Sequence, residues 1–210
     1  MDKPILILGT GTTGRTALNI FKSNEVLVFA FLEEGFKSAY EIDEIPVMGN
    51  LEEEDVLKEI GKSAEVFIAA DENSVRGKLT QLIKEDKKVM PVNAIHGSAI
   101  IADSAELGYG NLLDAGLVIG AGCKIGSGTI LNANVTVGAE TVIEDMAQLG
   151  YGANIGASVT IEEEVFIGSG VTIVSGVKIG KGARIGAGSV VVENVAKGDT
   201  LFGNPAKKVG

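Results

Sequence analysis

The chain has 210 residues, a formal net charge of −10 and no Trp, with 45% hydrophobic and 22% charged residues. This balance excludes wholesale disorder, and an acidic surface repels a phosphate backbone, so nucleic acid is not an expected partner. The 29 Gly show no Gly-every-third period, which excludes collagen, and the single Cys123 forms no internal disulfide, as suits a reducing, cytoplasmic setting.

After Met1-Asp2-Lys3-Pro4 comes Ile5-Leu6-Ile7-Leu8, too short for a signal peptide or membrane span and read as a buried strand. Gly9-Thr10-Gly11-Thr12-Thr13-Gly14 follows, then a helix from Arg15 to about Lys22. Val26 to Leu32 reads as a second strand ending in Glu33-Glu34, and Pro46-Val47-Met48 as a short extended piece. Leu51 to Ile60 reads as an acidic helix with Glu52-Glu53-Glu54-Asp55 at its N-terminus. Glu65 to Ala70 is a strand and Ser74 to Glu85 a helix. Such alternation predicts a parallel, doubly wound α/β domain.

G-x-G-x-x-G between strand and helix is a phosphate-binding fingerprint, because glycine lets backbone approach the anion and a helix N-terminus favours it. Glu33 lies nineteen residues past Gly14, where an acid that binds ribose is expected. The domain is short for a dinucleotide, which favours a smaller nucleotide group.

From Ile95 to Val191 an apolar residue recurs every six positions, sixteen times without a slip. Four residues after each comes a smaller residue, as at Ala99, Thr129, Val135 and Ala153, and Gly often follows the apolar one. A fixed short period is the mark of a solenoid. Residues i−2 and i share one face of a strand, and the Gly between them are expected to supply positive φ at corners. Three six-residue units then close one triangular coil of stacked parallel strands. Cys123 occupies an inward slot and is read as core. Residues eighteen apart form columns: His96, Asp114 and Asn132 make one, and Tyr151, Ser169 and Ala187 another. Glu144 stacks on Glu162 and Asp145 on Glu163, and these carboxylates are expected to splay into solvent. No metal site is expected.

An α/β half followed by this repeat resembles the sugar O-acyltransferases of the sialic-acid O-acetyltransferase type and their relatives that N-acetylate nucleotide-linked amino sugars. The matching stretches are Gly9 to Gly14, Phe31 to Glu34, Ile45 to Gly49, Asp71-Glu72-Asn73 with Arg76, Ile95 to Ala99, the solenoid and Gly203 to Ala206. The resemblance implies a Rossmann-like nucleotide-sugar domain at 1–92, a left-handed β-helix at 93–196 and a C-terminal tail at 197–210. It further implies a cytoplasmic homotrimer with acetyl-CoA as co-substrate between adjacent prisms. Substrate contacts would come from Gly9, Gly11, Thr12, Thr13, Gly14, Glu33, Glu34 and Arg76. Gln148, Tyr151, Ser169, Ala187 and Lys207, or its neighbour Lys208, would contact the coenzyme.

The family's solenoid carries Asn, then seven residues later His and an acid, then a second His nine positions beyond the first. Here these positions are Asn132, Ala139 with Glu140, and Gln148. Thr13 stands where the family's nucleotide loop usually has His, and His96 is the one histidine of the chain. In the family the first His takes the proton of the attacking hydroxyl or amine, a role Ala139 lacks. Glu140, or His96 beside Asp114, is left as the substitute base, and the loss weighs less for an amine than for an alcohol. The sequence thus admits an acetyltransferase, an inactive trimeric binding or scaffold homologue, or a nucleotide sensor.

Overall fold

The computed structural model describes residues 3–33, 35–36, 38, 40–49 and 58–209. It divides into two compact units, Met1–Gly97 and Ser98–Gly210. No helix among the described residues is long and apolar enough to cross a membrane.

The first unit is built on a five-stranded sheet. In chain order its elements are β1 (Ile5–Leu8), α1 (Thr12–Ser23), β2 (Val28–Leu32), β3 (Tyr40–Ile42), β4 (Ile45–Met48), β5 (Glu65–Ile68) and α2 (Asn73–Lys87). The strand order is β3-β4-β2-β1-β5. β1 pairs in parallel with both β2 and β5, β2 pairs in parallel with β4, and β3 alone runs antiparallel. Continuous apolar runs make these strands because both sheet faces are covered. Leu6, Leu8, Ala30, Leu32, Val66, Ile68 and Ile83 form one buried cluster. On the other side Phe21 of α1 meets Phe67 edge to face, with ring centroids 5.8 Å apart.

The edge strand β3 is absent from the sequence reading. It joins β4 through Asp43-Glu44, at φ 48° and 69°, the two left-handed residues of a tight hairpin turn. Such turns announce themselves by Asn-Gly or Asp-Gly, and Asp-Glu does not. α1 begins three residues before Arg15, and α2 extends from Asn73 to Lys87 with Lys88 as a left-handed cap at φ 58°. The acidic helix expected at Leu51 to Ile60 falls mostly outside the described residues. Its last three form a turn and the bridge of Ile60 to Ala64.

The second unit is a triangular prism of two-residue strands. One face stacks Ile100–Ile101, Val118–Ile119, Thr136–Val137, Asn154–Ile155, Thr172–Ile173 and Val190–Val191. The second stacks Glu106–Leu107, Lys124–Ile125, Val142–Ile143, Thr160–Ile161 and Lys178–Ile179. The third runs from Leu112–Leu113 through Ile130–Leu131, Gln148–Leu149, Phe166–Ile167 and Arg184–Ile185 to Thr200–Phe202 and Lys207–Lys208. Pairs eighteen residues apart are in parallel register, as Val118 with Thr136 and Ile130 with Gln148. The arrangement matches a left-handed β-helix of hexapeptide repeats.

The core is a ladder of Ile, Leu and Val from the strands and Val, Ala, Thr or Cys from the positions two residues before. Leu131, Val135, Ala147, Leu149, Ala153 and Val159 are fully buried. Polar residues in this ladder are satisfied by backbone. Asn111, fully buried, accepts from Thr129 N at 2.8 Å and donates to the Gly126 carbonyl at 2.9 Å. Thr141 Oγ1 donates to the Gly156 carbonyl at 2.9 Å. Cys123 lies inside as expected, its thiol donating to the Gly138 carbonyl at 3.1 Å. Burial pushes that thiol up from its ordinary pKa, which makes it a poor nucleophile.

The glycines after the apolar positions have a different cause from the one expected. They lack positive φ. A Cβ on Gly138 would lie 2.6 Å from Ala157 N, on the backbone of the next coil. Positive φ belongs to a second column two residues later, shared by Gly152 at 65° with side-chain residues such as Asn134, Glu140 and Ser158.

Candidate functional site

In the first unit the strand order turns at β1, whose neighbours β2 and β5 lie on opposite sides. Crevices beyond the carboxyl ends of strands at such a point are where open α/β sheets bind ligands. Gly9 to Gly14 follows β1, Glu33 follows β2, and Ala70-Asp71 follows β5. Gly9 and Gly14 are enforced by close approach to backbone, whereas Gly11 faces a side chain. A Cβ on Gly9, at φ 117°, would sit 2.9 Å from the Ala69 carbonyl, and one on Gly14 would meet the Gly9 carbonyl. A Cβ on Gly11 would fall 2.5 Å from Asp71 Oδ2.

That carboxylate explains the early start of α1. Gly11 caps the helix without a side-chain bond of its own. Asp71 Oδ1 instead accepts from Thr13 N at 3.1 Å and from Thr13 Oγ1 at 2.5 Å. A cap donated from fifty-eight residues away is invisible to local sequence reading. Thr13 is buried, whereas Gly11 and Thr12 are exposed.

Arg76, expected to contact substrate, is turned inward and only 1% exposed. It donates to the Ala70 carbonyl at 2.7 Å and to Asn73 Oδ1 at 2.6 Å. Burial lowers its pKa to about 10, against the pull of the Asp71 charge. Its role in this unit is to hold the turn after β5. Glu33 is held at the crevice: Thr10 Oγ1 donates to Oε1 at 2.7 Å and Tyr40 Oη to Oε2 at 3.0 Å. Beside it opens a slot of about 240 Å³ lined by Gly9, Thr10, Leu32, Ala70, Val75 and Leu79. Glu34 lies outside the described residues. His96 is half-buried near the end of this unit.

In the second unit the spacing of eighteen collects one group of predicted residues and separates another. Asp114, Asn132, Tyr151, Ser169 and Ala187 share the corner between the third and first faces, and Gln148 lies on the adjoining third face. Asn132 Nδ2 donates to the Leu149 carbonyl at 2.8 Å, which fixes the carboxamide on the next coil. Asp114 Oδ1 accepts from Ala115 N at 2.7 Å. Tyr151 is 51% exposed, and Ser169 and Ala187 are exposed beside it. Ala139 and Glu140 occupy the next corner, beyond the strand Thr136–Val137. Glu140 is exposed. Lys207 is exposed on the last strand, while Lys208 pairs with Asp199 at 2.7 Å.

The stacked carboxylates remain in contact with solvent, Asp145 being exposed and Glu144, Glu162 and Glu163 partly so, but they are tied to neighbouring groups and not splayed. Glu144 accepts from Glu163 N at 3.1 Å, Asp145 from Ser127 N at 2.7 Å, and Glu162 from Lys181 N at 2.7 Å. Lys178 lies 2.6 Å from Glu162, and Lys181 pairs with Glu163. They close backbone N–H groups at the corner, and the two lysines offset their repulsion. No group of three or more His, Cys, Asp or Glu among the described residues is placed to hold a metal ion.

The bacterial transferase hexapeptide family (six repeats) matches residues 158–193. Among solved structures, a histidine-to-alanine mutant of GDP-perosamine N-acetyl transferase from Caulobacter crescentus, in complex with CoA and GDP-perosamine, is 30% identical. The match covers 100% of this chain and 98% of that one, with a TM-score of 0.92. A histidine-to-asparagine mutant of perosamine N-acetyltransferase from the same organism, with the same two ligands, is 29% identical over 100% and 98%, with a TM-score of 0.92. The acetyltransferase domain of PglB from Neisseria gonorrhoeae, in complex with acetyl coenzyme A, shares the fold at 23% identity, with full coverage of both chains and a TM-score of 0.87. No curated protein sequence matches the chain.

Proposed function

The chain belongs to the hexapeptide-repeat sugar acyltransferases, and from that premise we propose that it transfers the acetyl group of acetyl-CoA to an amine on a nucleotide-linked sugar. The observation that carries this reading is the end-to-end likeness, at 30% identity, to a protein that binds CoA and GDP-perosamine. Residues 1–92 act as a Rossmann-like domain that holds the nucleotide, residues 93–196 carry the acetyl transfer, and the tail at 197–210 lies at the coenzyme. Three chains assemble with acetyl-CoA between adjacent prisms. The Asn132 corner of one chain then meets the Ala139 corner of its neighbour. The pantetheine arm runs along Tyr151, Ser169 and Ala187 near Gln148, and Lys207 faces the phosphates.

The chemistry favours nitrogen. A neutral amine brings its own lone pair to the thioester carbonyl, the carbon–sulfur bond breaks, and CoA leaves as the thiolate. The proton on nitrogen is shed only after the carbon–nitrogen bond forms, when it is far more acidic than in the free ammonium. An exposed carboxylate, Glu140, suffices to receive it. An alcohol has to lose its proton as it attacks, and a general base typically contributes about 10²–10⁴ in rate. Ala139 supplies none.

The test is thiol release from acetyl-CoA in the presence of GDP- and UDP-linked amino sugars and their hydroxy counterparts. Release is expected with amino sugars, rising with pH as the amine deprotonates and without an inflection in the histidine range. Glu140→Gln is expected to lower kcat by about tenfold or more. No release above background, with CoA failing to raise the melting temperature, overturns the reading and leaves a non-catalytic homologue.

A further inference from the structure

The first turn of α1 presents N–H groups that no earlier turn satisfies, and together with the helix dipole they attract an anion. In this chain the anion is already present. Asp71, at the end of β5, accepts from both Thr13 N and Thr13 Oγ1, at 3.1 and 2.5 Å. The carboxylate also packs closely on the loop, since a Cβ at Gly11 would fall 2.5 Å from Asp71 Oδ2. The turn after β5 that carries Asp71 is held from within by the guanidinium of Arg76, 1% exposed and engaged by the Ala70 carbonyl and Asn73.

We infer that Asp71 is the built-in anion of the glycine loop, so that a nucleotide is held in this unit through its nucleoside and gains little from its phosphates at α1. The inference rests on the nucleotide-sugar reading and alters where that nucleotide finds its affinity. A phosphate entering the same seat stands beside a like charge that already holds the N–H and hydroxyl of Thr13. The nucleoside has a place of its own. The slot beside Thr10, Ala70, Val75 and Leu79 offers apolar walls of about 240 Å³. At its rim Glu33 is oriented by Thr10 and Tyr40, and an ionised carboxylate retains lone pairs for ribose hydroxyls.

The experiment is titration calorimetry of the full chain at low ionic strength with two series, uridine, UMP and UDP, then guanosine, GMP and GDP. In the series that binds, dissociation constants are expected to agree within about threefold from nucleoside to diphosphate. Asp71→Asn keeps an acceptor for Thr13 and removes the charge. It is expected to tighten the diphosphate by about tenfold and leave the nucleoside unchanged. A wild-type diphosphate bound about thirtyfold or more tighter than its nucleoside overturns the inference. So does an Asp71→Asn chain that binds the diphosphate more weakly. If that variant does not fold, the wild-type series decides alone. Binding by no member of either series removes the nucleotide reading itself, a result distinct from a steep series.

Discussion

At the residue scale, glycine serves two unrelated purposes in the prism, and they carry different costs. At Gly138 the obstacle is the neighbouring coil, with Ala157 N 2.6 Å from the missing Cβ. Relief requires backbone to move, so Gly138→Ala is expected to destabilise by about 1–3 kcal/mol. At Gly152 there is open space, and the burden is φ of 65° alone. Gly152→Ala is expected to lower stability by only about 1 kcal/mol, since the penalty is that of one left-handed residue. Denaturant unfolding of the two variants side by side checks the order, and equal losses contradict it. The recurrence of Gly was plain from composition, but its division into two columns was not. A contact nineteen residues away in sequence, as between Gly138 and Ala157, has no local signature.

At the element scale, strand and helix existence was legible and their ends were not. β1, β2, β5 and the hexapeptide strands follow from apolar periodicity, which records burial directly. The start of α1 depends on Asp71, and β3 depends on an Asp43-Glu44 turn with no glycine to mark it. The corners of the prism add an acid dependence of the same tertiary origin. Glu162 is held below its ordinary pKa of 4.5 first by the hydrogen bond with Lys178 and next by that from Lys181 N. The unfolded chain therefore takes up a proton at this site before the folded chain does. Its contribution to stability is present above pH 4.5 and is lost as pH falls through the lower folded value. Glu162→Gln is expected to flatten the acid limb of the stability profile below that pH, as read by thermal melts across pH. An unchanged limb in the variant counts against the pairing.

At the scale of the whole molecule, the residues proposed for acetyl transfer fall on two separate corners of one prism. Asn132, Tyr151, Ser169 and Ala187 gather on one corner, whereas Ala139 and Glu140 face outward from another. Light scattering coupled to size exclusion is expected to return three times the 21.7 kDa chain mass. A monomer that nevertheless releases CoA contradicts a site shared between prisms.

By itself the sequence determined the prism and the strand–loop–helix order of the first unit, because burial leaves a period of six in one and alternating apolar runs in the other. It also set the absence of histidine from the Ala139 and Gln148 positions. Tertiary structure alone decided what the polar residues do. Asp71 caps the start of α1, Arg76 turns inward, and the stacked carboxylates close backbone N–H groups. Hydrogen bonds are short-ranged in space and indifferent to distance along the chain, so a residue's partner, and with it its role, exists only once the chain has folded.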